Sequence, residues 1–225
     1  MNNSFPFDPI KRSKDVESLV MQGDKRRYYR FRFAKFYGGI VTADAVGCNL
    51  LCAYCWNFSR NLNPANAGDF YSPIEVAEKL QAISEKNKCN QFRISGAEPI
   101  LGRTSAQHLA EIIRLVDGHF IIETNGVAIG HDVSLLDLLK PLKCHIRLTI
   151  KGDDPESFQK VTGALGETFY YQLQAVDAIR KEKISLSVAV MTQFVDSNKL
   201  PCRVDEEEDL IKYQSTERNM QKRGF

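Results

Sequence analysis

Three cysteines, Cys48, Cys52 and Cys55, fall within eight residues of the stretch "AVGCNLLCAYCWNFSR" (45–60), and no fourth lies near them. Clustered thiolates select zinc, copper(I) or iron–sulfur clusters. Structural zinc sites usually complete a close cysteine pair with a second pair or with histidines. Here Cys89, Cys144 and Cys202 are isolated, and none of the four histidines has ligand spacing to a cysteine. A [4Fe–4S] cube normally takes four thiolates. Three would leave one iron with an open position, as a reactive site requires; a structural zinc module on an α/β scaffold is the alternative that the spacing disfavours.

A loop that presents three thiols needs a rigid frame. Past residue 37 the chain alternates short β-branched or aromatic runs with longer helical patterns, the signature of βα units and a parallel sheet. Strands are predicted at "GGIVTADA", "QFRISG", "HFIIETNG", "CHIRLTIK" and "ISLSVAVMT". Helices are predicted at "SPIEVAEKLQAISEKN", "SAQHLAEIIRLVDG", "VSLLDLLKPL", "DPESFQKVTG" and "ETFYYQLQAVDAIRKEK". The first opens with Ser72, Pro73 and Glu75, a cap, a first-turn proline and a reciprocal cap partner.

Right-handed crossovers between parallel strands curl such a sheet into all or part of a barrel. Thirty-three residues follow Thr192, and "QFVDSNKLPCRVDEEEDL" reads as a poor strand. The expectation is therefore an α/β fold, a partial, open (β/α)5-6 TIM-like barrel of parallel strands with flanking helices. Its parts would be a basic, aromatic amino-terminal extension (1–37), the barrel (38–194) and a tail (195–225) carrying a helix within "DEEEDLIKYQSTERNMQKRGF".

Composition narrows the class. With 43% hydrophobic residues the chain can build an ordinary core. No apolar run approaches the roughly 20 residues of a membrane helix, so no membrane partner and a cytoplasmic location are expected. Six cysteines without a secretory signal argue against a disulfide scaffold. The net charge is +2, yet residues 1–37 carry nine Lys and Arg against four acids.

On its motifs the sequence resembles the radical S-adenosylmethionine (SAM) enzymes. "CNLLCAYC" matches their CxxxCxxC pattern, with Tyr54 before the last cysteine; "SGAEP" resembles GGEP; and "ETNG" is similar to the glycyl-radical activating-enzyme-like branch. "LTIKG" looks like the segment that meets the ribose of SAM. The resemblance spans about residues 38–192.

It implies a [4Fe–4S] cluster on Cys48, Cys52 and Cys55 whose fourth iron takes the amine and carboxylate of SAM. An external electron donor would drive cleavage to methionine and a 5′-deoxyadenosyl radical that abstracts hydrogen from a substrate. Ser95, Gly96, Ala97 and Glu98 would hold the methionyl ammonium. Tyr54 would offer its backbone to adenine, and Glu123, Asn125, Thr149 and Lys151 would contact ribose or carboxylate. Ala97 stands where the family usually has a second glycine, and Thr149 where activating enzymes often carry Asp. No catalytic residue beyond cluster and cofactor is implied.

The substrate is less legible. "KRRYYRFRFAKFYGG" (25–39) interleaves six basic residues with six aromatics. It is compatible with a nucleic-acid surface, but its alternation favours an edge strand or hairpin with rings inward and charges outward. The open barrel side would admit a protein loop, RNA or a small metabolite. A non-catalytic iron–sulfur electron-transfer or regulatory protein on the same fold is the alternative function.

Overall fold

The computed structural model describes residues 5–210 and 213–225. Its backbone is one open sheet. Helix α1 (Pro9–Val20) starts at Asp8, whose carboxylate caps two backbone amides, and leads into β1 (Met21–Gln22) and β2 (Lys25–Ala34). Strand β3 (Ile40–Ala45) follows, then the cysteine loop, α2 (Phe58–Leu62) and β4 (Asp69–Tyr71). Next come α3 (Pro73–Asn87), β5 (Gln91–Ser95), α4 (Arg103–Leu115), β6 (His119–Thr124) and α5 (Val127–His131). The chain continues through β7 (Cys144–Ile150), α6 (Pro155–Thr162), α7 (Phe169–Lys181), β8 (Ser185–Met191), β9 (Glu206–Glu208) and α8 (Gln214–Lys222).

The strands order as β1-β2-β3-β5-β6-β7-β8-β9, with β4 beside β2. From β3 to β9 every pair is parallel, which puts six carboxyl ends on one rim. The sheet does not close, so the expected partial barrel is what the chain forms. Alternation along each strand sorts the two faces. Val41, Phe92, Ile94, Phe120, Ile122, Ile146, Leu148 and Val188 are buried under the helices and form the main core. Their neighbours Thr42, Asp44, Arg93, Glu123, Arg147 and Thr149 face the other way, so the barrel interior is polar.

Local chemistry explains the helices. In α3, Ser72 Oγ accepts from Glu75 N at 3.3 Å while Glu75 accepts from Ser72 N at 2.7 Å, the reciprocal cap read from sequence. Asp154 caps α6 by accepting from Ser157 N. "VSLLDLLKPL" departs from expectation: residues Val133–Leu138 form a 3-10 turn. Leu135 and Leu136 are both buried there, and the Asp132 side chain accepts from Ser134 N, which favours the tighter winding.

Two further expectations change. Strand β2 forms the expected hairpin with β3, and only its first residues, 25–28, gain further partners in β1 and β4; its charges, however, do not all point outward. A bulge at Tyr29 puts two residues of β2 against one of β3, from the Tyr28/Ala45 pair to the Arg30/Asp44 pair. One extra residue flips the face of everything after it. Tyr28 therefore sits in the core, while Arg30 and Arg32 turn into the barrel. At the other end, Glu206–Glu208 form a short sixth parallel strand where sequence gave none. Arg147 reaches across β8 to Glu206 at 2.7 Å and Glu208 at 2.6 Å, a tertiary pairing that propensity does not contain. The terminal helix is accordingly shorter than its acid-to-base pattern suggested, Gln214–Lys222; residues 211–212 of the predicted span lie outside the described residues. Gly224, at φ 73°, ends the helix.

Candidate active site

The cysteine loop hangs from the end of β3. Leu50, Leu51 and Ala53 are buried, and Leu51 N and Ala53 N donate to Thr162 O (3.1 Å) and Val161 O (2.8 Å) at the end of α6. Burying one such leucine is worth about 1.5–3 kcal/mol. Arg12 of α1 grips the other flank, donating to Cys48 O at 3.2 Å and Asn61 O at 2.7 Å. Gly47, at φ 92°, turns the chain into the loop and accepts from Glu98 N at 3.2 Å, which joins this loop to the one after β5.

One cavity of about 590 Å3 at the carboxyl rim is lined by Cys48, Cys52, Cys55, Tyr54, Gly96, Ala97, Glu98, Glu123, Asn125, Thr149 and Lys151. Of the residues predicted from sequence, only Ser95 is outside its lining; it ends β5 opposite Asp44. The backbone also resolves the Ala97 substitution. The left-handed residue of the turn is Gly96, at φ 81°, and Ala97 has no positive φ. An added methyl at 97 is therefore tolerated, whereas one at 96 would meet Ala45 O at 3.1 Å and Asn57 Nδ2 at 3.2 Å.

The thiols are free and buried or half-buried. Burial raises the pKa of Cys48 and Cys52 and pushes Cys55 up to about 11, with Glu98 and then Cys52 adding to the rise for Cys48, and Cys52 to that for Cys55. Among the described residues no three His, Cys, Asp or Glu side chains already converge on one metal position. The surroundings nonetheless suit a cluster bound through three thiolates. Leu50 N lies 3.4 Å from Cys48 Sγ, Asn61 Nδ2 3.7 Å from Cys55 Sγ and Asn125 Nδ2 4.0 Å from Cys48 Sγ, so amide donors face the sulfurs. Asn49 is fully buried, and its Nδ2 has no partner, a donor left for a bound acceptor.

Glu98 is buried and braced. Its Oε1 accepts from Ile100 N (3.1 Å) and Thr124 Oγ1 (2.7 Å), and its Oε2 from Asn125 N (2.8 Å). Desolvation outweighs these donors and pushes its carboxyl up to about 7. Asn125 is equally committed: Nδ2 donates to Asn49 Oδ1 at 2.8 Å, and Oδ1 accepts from Val127 N at 3.0 Å. Glu123 lies one pleat deeper, where it pairs with Arg93 at 2.7 Å and accepts from Tyr37 Oη at 2.8 Å. Lys151 Nζ lies 5.3 Å from the Tyr54 ring; burial pulls its pKa down, but Tyr54 and Cys52 raise it overall. Tyr54 in turn stacks on Phe194, ring centroids 4.7 Å apart.

Several residues that organise the rim carry no sequence signature. Gln172 of α7 is fully buried; it donates to Asn125 O (2.7 Å) and Thr149 O (3.2 Å) and accepts from Lys151 N (3.1 Å). Arg26, also fully buried, donates to Glu98 O and Pro99 O from beneath the turn. Asn57 and Asn61 both donate to Gly96 O, at 2.6 and 3.0 Å. A glutamine in an amphipathic helix and an arginine in a basic run look like surface residues, so only proximity in the fold reveals them.

Comparison with known proteins agrees with this fold. In sequence, the chain is 24% identical over 127 residues to the probable GTP 3',8-cyclase of Thermoplasma volcanium, covering 56% of this chain and 38% of that protein. It is 24% identical over 153 residues to the GTP 3',8-cyclase of Microcystis aeruginosa, covering 64% and 45%. The chain thus spans less than half the length of the curated relatives it matches. Among solved structures it superposes on a radical SAM methyltransferase from Sphaerobacter thermophilus with TM-score 0.55 at 10% identity, covering 86% of this chain and 66% of that one. For the FeFe-hydrogenase maturase HydG from Carboxydothermus hydrogenoformans the TM-score is 0.51 at 17% identity, covering 81% and 40%; both likenesses show the fold alone. The family model described as the radical SAM superfamily matches residues 44–196. Covering more than half of the chain and enclosing the three cysteines, that match makes the protein a member of the radical SAM superfamily, enzymes that use a [4Fe–4S] cluster and SAM.

Proposed function

We propose that Cys48, Cys52 and Cys55 hold three irons of the cluster and that the cavity beside them binds SAM and a substrate. The observation that carries this reading is the common lining: three thiols, the Gly96–Glu98 turn and the ends of β6 and β7 share one cavity at the carboxyl rim. Loaded there, the cluster and SAM would supply one-electron cleavage of a carbon–sulfur bond and, from it, hydrogen abstraction from the substrate.

The chain's own residues bind and orient. The Gly96 carbonyl already accepts two amide donors, so the methionyl ammonium is left the Ala97 carbonyl and the remaining lone pair of Glu98 Oε2. An ammonium there would draw the Glu98 carboxyl into its charged form and make a charge-assisted contact. Lys151 supplies a buried positive charge on the thiol side, suited to a carboxylate. The Tyr54 ring, backed by Phe194, closes part of the wall and limits water. Thr149 presents a hydroxyl for a ribose. Glu123, committed to Arg93, is better suited to holding the chamber floor than to a cofactor contact. A catalytic reading is favoured over an electron-transfer or regulatory one by the superfamily match and by the open cavity beside the thiols.

Within the family, the "ETNG" end of β6 supports the activating-enzyme-like branch by motif, whereas the curated relatives are named GTP 3',8-cyclases. The open barrel side would also admit a macromolecule, and an external donor would supply the electron. No helix of the described residues is long and apolar enough to cross a membrane. Anaerobically reconstituted protein, given dithionite and SAM, should yield 5′-deoxyadenosine and methionine. No yield from protein with a complete cluster would overturn the reading. Mass spectrometry for deuterium passed from labelled substrates into 5′-deoxyadenosine, GTP among them, would identify the substrate.

A further inference from the structure

We propose that the β2 wall of this cavity is an anion subsite, in which Arg30 and Arg32 hold a phosphate or carboxylate group of a small-molecule substrate; the assignment rests on the cavity being the substrate chamber. Four guanidinium groups face the barrel interior, and their partners set them apart. Arg93 is matched by Glu123 at 2.7 Å. Arg147 has two carboxylates, Glu206 at 2.7 Å and Glu208 at 2.6 Å. Arg30 and Arg32 share one, Asp44, at 2.6 and 2.7 Å.

That sharing leaves one excess positive charge on the β2 wall, whereas the β7–β9 wall, with Glu206 and Glu208 on Arg147 and Asp209 beside them, carries the excess of carboxylates. Asp44 is fully buried and uses only Nε of Arg30, with Nε and one Nη of Arg32. The Arg30 side chain is 48% exposed and the Arg32 side chain 25%, so both fork ends remain within reach of a ligand. Both arginines line the same cavity as the cysteines. Asp44 fixes the two guanidinium planes before a ligand arrives, which lowers the ordering cost of binding. Planar forks at this spacing suit oxyanions, which accept paired N–H donors.

The arrangement is built by the Tyr29 bulge. Without it, Arg30 and Arg32 would lie on the helix-facing side of β2 with Tyr28. Beside the pair, Trp56 is 42% exposed, with the Arg30 guanidinium 6.0 Å from its ring. An anionic group joined to a flat or apolar body would meet both. The inward direction and the cavity volume fit a small ligand rather than a nucleic-acid strand lying across the surface.

The test is calorimetric titration of the reconstituted, SAM-loaded protein with tripolyphosphate and with tricarballylate, at about 150 mM salt so that diffuse attraction is screened. Saturable binding of at least one is expected; tripolyphosphate alone would assign a phosphate, and tricarballylate alone a carboxylate. Arg30→Gln should weaken it about tenfold or more, since charge-assisted hydrogen bonds are lost. This variant leaves Arg32 matched one-to-one with Asp44, so no buried charge is stranded. Arg32→Gln combined with Asp44→Asn removes one fork and the bracing carboxylate but keeps a single excess charge on Arg30, so it should show a smaller loss, as should Arg30→Lys. Absence of binding by the unaltered protein, or binding by Arg30→Gln as tight as that of the unaltered protein, would overturn the proposal. Formation of 5′-deoxyadenosine without anion binding would remove the subsite alone, whereas anion binding without SAM cleavage would remove the functional reading alone.

Discussion

Gln172→Leu is the sharpest test of how the rim is held. The side chain is fully buried and makes three hydrogen bonds, to Asn125 O at 2.7 Å, to Thr149 O at 3.2 Å and from Lys151 N at 3.1 Å. Leucine has similar volume, so packing changes little, but two carbonyls and one N–H lose their partner. Leaving a buried backbone group unmatched costs about 1–3 kcal/mol, and partial relaxation should bring the total to about 3–5 kcal/mol. Against a typical stability of about 5–15 kcal/mol that is a large fraction. Urea unfolding of metal-free protein under anaerobic conditions should show the loss as a lower midpoint at unchanged slope. The control is Gln174→Leu, two residues along the same helix on its exposed face, which should stay within about 0.5 kcal/mol. SAM affinity of the reconstituted variant should also fall, because Thr149 and Lys151 lose their brace. A cost below about 1 kcal/mol, or one equal to the control, would refute the claim that Gln172 ties β6 to β7.

Four further outcomes follow from the same geometry. Because burial pushes the Glu98 carboxyl from 4.5 up to about 7 in the fold, the protonated form is favoured there. The stability of metal-free protein is then fully present below the unfolded value and should fall by about 3 kcal/mol as pH rises through that window; urea midpoints against pH should show this, with a flatter profile for Glu98→Gln. Serine at 48, 52 or 55 should each lower bound iron after reconstitution, whereas serine at 89, 144 or 202 should not, as iron and sulfide analysis will show. Gly96→Ala should cost about 1–2 kcal/mol, because its φ of 81° disfavours a Cβ, while Ala97→Gly should be nearly silent in the same unfolding assay. Arg223 donates to Leu51 O in the cysteine loop at 2.9 Å, and Phe225 packs edge-on against Phe194, which stacks on Tyr54; Arg223→Ala with Phe225 removed should speed cluster loss in air, followed by the decay of its visible absorbance.

Sequence by itself determined the ligand chemistry and the frame. The spacing of Cys48, Cys52 and Cys55, the turn glycine at 96 and the alternation of apolar strand residues are local signals, because they reflect backbone geometry and burial that each segment carries with it. The same locality placed the Ser72 cap of α3 and five of the six parallel strands. Tertiary structure decided which charges meet. A single bulge at Tyr29 turned Arg30 and Arg32 from an outward stripe into a cavity wall, and Arg147 made a strand of three glutamates. Glu123 went to Arg93, and Gln172 and Arg26, unremarkable in sequence, became braces of the rim. Pairings of this kind join residues far apart in the chain, Arg26 to Pro99 across 73 positions and Arg223 to Leu51 across 172, and Coulomb and hydrogen-bond energies depend on distances that only the folded chain sets.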